Sequence, residues 1–369
     1  MFVRPISGQG RTKPPPLVFR TLTIWTLALN SQVTAPPALD ATRAYFSLED
    51  DRLAAYHLAT GQHDWTVPVG PRMEPATGEG LLFVVEHDSL TARHAADGTL
   101  AWRLPLSEKL AVRPVWDNGW LVAATVGGTL LAFRARDGFL VWRRDLGSPA
   151  HGIPALAADR VYVPTEDGRV MAMRIETGAS VWERRLGGAP NDILALDDRL
   201  YVGSKDNFFY CVETKAGRIE WRWRTGADVI GLPVVDDSNV YFVSLDNVLR
   251  GVGRKSGAQL WFRVLPLRPT SGPLLADGTL IVAGVSPTLR RYNVKDGTAA
   301  GQVPTNGELA APPRLAAGVS RVLVVTRDLA KGASAMVITR VVEPETLPLA
   351  PLPNPVMPAP LPPASDEQR

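Results

Sequence analysis

Residues able to hold a metal, move a proton or act as a nucleophile are few and dispersed in this chain. There is one cysteine, Cys211, so no internal disulfide can form. The five histidines, His57, His63, His87, His94 and His151, show none of the paired spacings of a metal site. A further set, Glu74, Arg113, His151, Asn191, Asp192 and Asp228, mixes carboxylates with an amide, an imidazole and a guanidinium. Gathered at one point, such groups could bind calcium through oxygen atoms or supply a general base. Only the fold can gather them, so the elements that position them come first.

Those elements repeat. A glycine is followed four residues later by tryptophan at Gly61/Trp65, Gly98/Trp102, Gly138/Trp142, Gly178/Trp182, Gly217/Trp221 and Gly257/Trp261; a seventh, Gly297, has Gly301 in the tryptophan slot. Within the fourth unit, Ile153-Pro154-Ala155-Leu156, Arg160-Val161-Tyr162-Val163, Val170-Met171-Ala172-Met173 and Ser180-Val181-Trp182 are four apolar runs, with turns at Asp167-Gly168 and Thr177-Gly178. Asp206-Asn207 and Asp246-Asn247 repeat the first of these turns, with residue types that tolerate the positive φ of two-residue hairpins. Four short strands in about 40 residues describe one blade of a β-propeller. The tryptophan is large enough to fill the wedge between blades.

A second marker counts the units. Proline opens the first strand at Pro37, Pro75, Pro114, Pro154, Pro233, Pro273 and Pro313, with Ile193 in the remaining slot, which makes eight. The marker-to-glycine interval places the eighth glycine at position 337, where the chain has Val337 and no tryptophan follows. The missing fourth strand lies at the other end: Ile24-Trp25-Thr26-Leu27 stands before Pro37 at the interval that separates Trp142 from Pro154. An all-β, eight-bladed propeller of four-stranded blades is expected, with the N-terminal strand completing the last blade and closing the ring.

One domain over residues 21–342 follows, between a flexible segment 1–20 and a proline-rich, disordered tail 343–369 that serves as a spacer or a docking peptide. Arg4, Arg11, Lys13 and Arg20 ahead of residues 22–29 imitate a secretory leader, but cleavage there would remove the closing strand. No lipid-attachment cysteine follows. The net charge of +3 is dispersed, which argues against nucleic acid, and no run reaches membrane-spanning length. Arg103, Arg143, Arg144, Arg184 and Arg263, each one or two residues after a tryptophan, read as charges guarding outer strands against edge-to-edge pairing.

Arg136-Asp137-Gly138-Phe139-Leu140-Val141-Trp142 and Glu176-Thr177-Gly178-Ala179-Ser180-Val181-Trp182 resemble the quinoprotein-type repeat. The resemblance covers nearly the whole propeller. Its family includes dehydrogenases that use pyrroloquinoline quinone and calcium, and also non-catalytic eight-bladed members such as the propeller lipoprotein of the outer-membrane barrel-assembly machinery. The dehydrogenase reading implies a quinone near the axis, an aspartate base and commonly two adjacent cysteines; this chain has Cys211 alone and short loops. The resemblance in size and closing strand implies instead a monomeric, non-catalytic scaffold for a protein partner, without cofactor or metal, at the periplasmic side of an outer membrane. Asp192, Asp228 and Arg268, in loops from a fourth strand to the next first strand, are the expected partner surface. A ligand-sensing propeller is the third reading.

Overall fold

In the computed structural model, residues 21–305, 307–316, 321–328 and 331–340 are described. The expectations for segments 1–20 and 343–369 fall outside them. Every described element is a strand, a bridge or a turn, and the strands form eight antiparallel sheets arranged in sequence order. The fourth blade shows the pattern: an inner strand Ala155–Ala157, then Arg160–Pro164, Arg169–Arg174 and the outer strand Ser180–Arg185. Each of the first seven blades repeats this order.

The eighth blade is made from both ends of the described chain. Thr21–Ala28 pairs antiparallel with Gly332–Arg340, which pairs with Arg321–Asp328. The expected ring closure is therefore present. Val337, where counting places a turn glycine, lies within a strand, directly opposite Trp25. The marker count slips there because the eighth blade's second and third strands are 8 and 9 residues long, against 5 and 6 in the fourth blade.

The core is divided into layers. Eight apolar clusters occupy the eight interfaces between neighbouring blades, from Tyr45 with Leu82 between the first and second to Phe46 with Leu323 between the eighth and first. Alternating side chains of each sheet serve the blade before and the blade after, so the second and third strands of the blades are buried on both faces.

Tryptophan and glycine join these layers across blades. The indole NH of Trp25, Trp65, Trp102, Trp142, Trp182, Trp221 and Trp261 donates to a backbone carbonyl 30 to 33 residues on, in the next blade, at 2.6 to 3.0 Å. Each ring also covers the next blade's turn glycine. At Gly178, which has φ +66°, a Cβ would stand 2.7 Å from the Trp142 ring, so both the turn and the contact require glycine. From the third strand, a small residue faces each of Trp65, Trp102, Trp142, Trp182, Trp221 and Trp261: Ala55, Ala92, Ala132, Ala172, Cys211 and Gly251. The seventh blade exchanges the two sizes, with Gly301 opposite the buried Arg291.

Candidate functional site

The inner strands bring residues from distant parts of the chain to the axis. Glu74 stands just before the second blade's inner strand, Arg113 just before the third's, and Arg314 begins the inner strand Arg314–Leu315 of the eighth. Arg314 Nη2 hydrogen-bonds to Glu74 Oε2 across 240 residues of sequence, and Arg113 Nε lies 3.7 Å from the same oxygen. The Glu74 side chain is only 15% exposed. Burial pushes its carboxyl above the usual carboxylate range, Arg314 and Arg113 pull it back, and Asp192 adds to the rise. Burial likewise lowers the Arg314 guanidinium from its ordinary value, with Glu74 opposing. Arg314 is a partner that the sequence reading missed; only its position beside Pro313 could have signalled it.

Asp192 belongs to the same axial group. It lies inside the fifth blade's inner strand, Pro190–Leu196, at an irregularity between Pro190 and Ile193, and not in a loop as expected. Its Oδ1 accepts the backbone NH of Ile153 from the fourth blade at 2.9 Å. Asn191 beside it donates to the Val229 carbonyl of the sixth blade. His151 is half-buried near both, and burial, then the Lys205 cation, hold its pKa below the usual value.

Asp228 and Arg268 occupy another place. Asp228 directly precedes the inner strand Val229–Val235, and its carbonyl accepts the Leu245 NH. Arg268 lies in the equivalent connection one blade later, where its carbonyl accepts the Val285 NH. Asp228 is half-buried and Arg268 exposed. The structure therefore sets these two on the rim of one loop face and Asp192 nearer the axis.

The donor set does not fit a quinone–calcium centre. The Glu74 carboxylate is bracketed by two guanidinium groups, and one oxygen of Asp192 is occupied by an amide. Cys211 is buried in the third strand of the fifth blade, opposite Trp221 and remote from the inner strands. Among the described residues no group of three or more histidine, cysteine, aspartate or glutamate side chains could hold a metal ion. What the axial groups do is tie blades two, three, four, five, six and eight together.

The outer-strand arginines also have a role beyond edge protection. Nε of Arg144, Arg184 and Arg263 donates to the carbonyl of Gly178, Gly217 and Gly297 in the next blade, at 2.9, 2.6 and 2.9 Å. Arg103 pairs with Glu86 at 2.5 Å.

Comparison with known proteins agrees with this architecture. The profile of the family described as outer membrane protein assembly factor BamB matches residues 86–196 and 192–328. The BamB of Moranella endobia (strain PCIT) is 28% identical over 95 residues, which cover 24% of this chain and 24% of that protein. The match thus spans about a quarter of that relative's length. The crystal structure of BamB from Moraxella catarrhalis superposes with a TM-score of 0.72 at 17% identity, covering 86% of this chain and 99% of that one. Quinohemoprotein alcohol dehydrogenase from Comamonas testosteroni gives 0.68 at 14% identity, covering 88% and 78%. At such identities the structural likeness speaks for the fold alone.

Proposed function

The chain belongs to the family of the outer membrane protein assembly factor BamB, and from that membership we propose that it is a non-catalytic scaffold which docks a protein partner in outer-membrane protein assembly. The observation that carries this reading is the axial group. Glu74 is paired with Arg314 and Arg113 from two other blades, and Asp192 accepts a backbone NH of its neighbouring blade. A carboxylate bracketed by guanidinium groups from two other blades fixes the loops around it in position. A rigid face with polar groups at its rim suits docking of a folded partner.

The partner surface is the rim that carries Asp228 and Arg268, with Asp192 bordering it from the axis. A photo-crosslinker placed at position 228 or 268 tests this in cells. Capture of one specific envelope protein from both positions, with the position-228 crosslink lost on Arg268→Glu, is the expected result. Crosslinks that are absent from both positions, or a position-228 crosslink unchanged by Arg268→Glu, overturn the assigned surface. A rise in melting temperature with pyrroloquinoline quinone plus Ca²⁺ would instead favour an enzyme, since a ligand at 100 times its Kd adds about 2.7 kcal/mol to the native state.

A further inference from the structure

The outer strand of the third blade, Phe139–Asp145, differs from the other outer strands. It is the longest of the seven that follow their own hairpin. Phe139, Leu140 and Val141 are 58%, 42% and 39% exposed in succession. The equivalent stretch in the fourth blade is Ala179-Ser180-Val181, and in the fifth Arg218-Ile219-Glu220. In its own sheet the strand pairs only with Thr129–Arg134, so its other edge has no partner there.

Beside this edge runs a groove of about 640 Å³ between the second and third blades. Register explains its lining. Leu140 is opposite Phe133 and Arg143 opposite Leu131, so these four side chains share the sheet face turned to the second blade, where Leu104 and Leu106 complete an apolar floor. Arg144, on the other face, reaches the next blade. Arg143 makes no hydrogen bond or ion pair among the described residues, whereas Arg134 in the same groove is paired with Asp137 at 2.7 Å. Glu108 lies beside Gly127, past the Asp145 end of the strand and so on Arg143's side of the groove. The groove thus combines an apolar floor, one unpaired cation and one anion.

We propose that the free edge of Phe139–Asp145 receives an extended segment of a partner protein, which adds as a further strand and sets apolar side chains into the groove with a carboxylate on Arg143. Charge selects this occupant. A segment that alternates aliphatic and acidic residues satisfies the floor and Arg143 together, and Glu108 just beyond Arg143 repels a carboxylate carried past it. The surface is separate from the Asp228–Arg268 rim and stands whether or not that rim docks a partner.

The test uses the whole protein and a fluorescein-labelled ten-residue peptide of alternating leucine and glutamate, read by fluorescence anisotropy. Saturable binding is expected, with the alternating leucine–lysine peptide at least tenfold weaker. Arg143→Glu and Leu140→Ser should each weaken the acidic peptide at least tenfold. Phe262→Ser, on the exposed outer strand of the sixth blade, should leave it unchanged. N-methylation of alternate peptide amides should abolish binding if the segment adds as a strand. All substituted side chains are exposed, and matched melting temperatures verify the fold. No binding, equal affinity for the lysine peptide, insensitivity to Arg143→Glu, or equal loss on Phe262→Ser would each overturn the assignment.

Discussion

The indole of Trp142 covers Gly178 of the following blade rather than Gly138 of its own turn, and its NH donates to the Ile175 carbonyl at 2.6 Å. The Gly–Trp spacing visible along the chain is therefore half of two different contacts. Each tryptophan closes the interface ahead of it, and each glycine makes room for the tryptophan behind.

Trp142→Ala should cost about 3–5 kcal/mol in denaturant unfolding, because it empties an interblade layer. Trp142→Phe keeps much of the packing but strands the Ile175 carbonyl, at a cost of about 1–3 kcal/mol. Gly178→Ala forces a Cβ against the ring at positive φ, and should cost at least about 1 kcal/mol. The double variant should cost less than the sum, since Trp142→Ala removes the atoms that the new methyl strikes. Strict additivity would refute the contact.

Removing residues 1–30 deletes the strand opposite Gly332–Arg340 together with the Trp25 ring over Gly61. A lower melting temperature is expected, with partial recovery when a peptide of residues 21–30 is supplied. An unchanged melting temperature would refute closure by this strand.

Acid should act through Asp246. Burial disfavours its charge, but hydrogen bonds from Arg250, Ser244 and the Gly226 NH outweigh burial and hold its pKa at about 2, below the ordinary 3.8. A depressed folded-state value means that the stabilisation is complete above about pH 4 and is lost as pH falls through 2. Asp246→Asn should therefore lose about 2 kcal/mol at neutral pH, with a gap to the parent that narrows between pH 4 and 2. A gap independent of pH would contradict the assignment.

Cys211 should resist thiol reagents in the native protein at pH 8 and react after unfolding. Burial, then the Glu220 anion, pushes its pKa up to about 12, so almost no thiolate forms. Its place opposite Trp221 is one that four other blades fill with alanine, so Cys211→Ala should change stability by less than about 1 kcal/mol. Cys211→Leu overpacks the same space and should cost about 1–3 kcal/mol.

Periodic features were legible in the sequence because one side-chain type recurs at one place in each blade. Turn glycines, tryptophan wedges and the displaced closing strand all followed from spacing. Contacts between blades were not, because their partners lie about 33 residues apart and differ in type. Arg144, Arg184 and Arg263 read as edge charges, yet each bonds a glycine carbonyl in the next blade. Pairing of Glu74 with Arg314 depends on ring closure bringing residues 240 apart to one axis. Asp192 read as a loop residue because the fifth inner strand begins three residues before the marker position. The exchange of Gly301 for tryptophan was plain, but its compensation by Arg291 appears only in the strand register.

The closing strand also sets a timetable. Thr21–Ala28 leaves the ribosome well before its partner Gly332–Arg340, which follows some 310 residues later. At about 5–20 residues per second that interval is roughly 15–60 s. Throughout it, the eight-residue strand has no sheet partner, although Trp25 can already pack on Leu58 and Gly61 of the first blade, and seven blades can stack before the eighth exists. Ring closure waits for Gly332–Arg340, so the time at which the ring becomes whole is set by translation speed as much as by the strength of its interfaces.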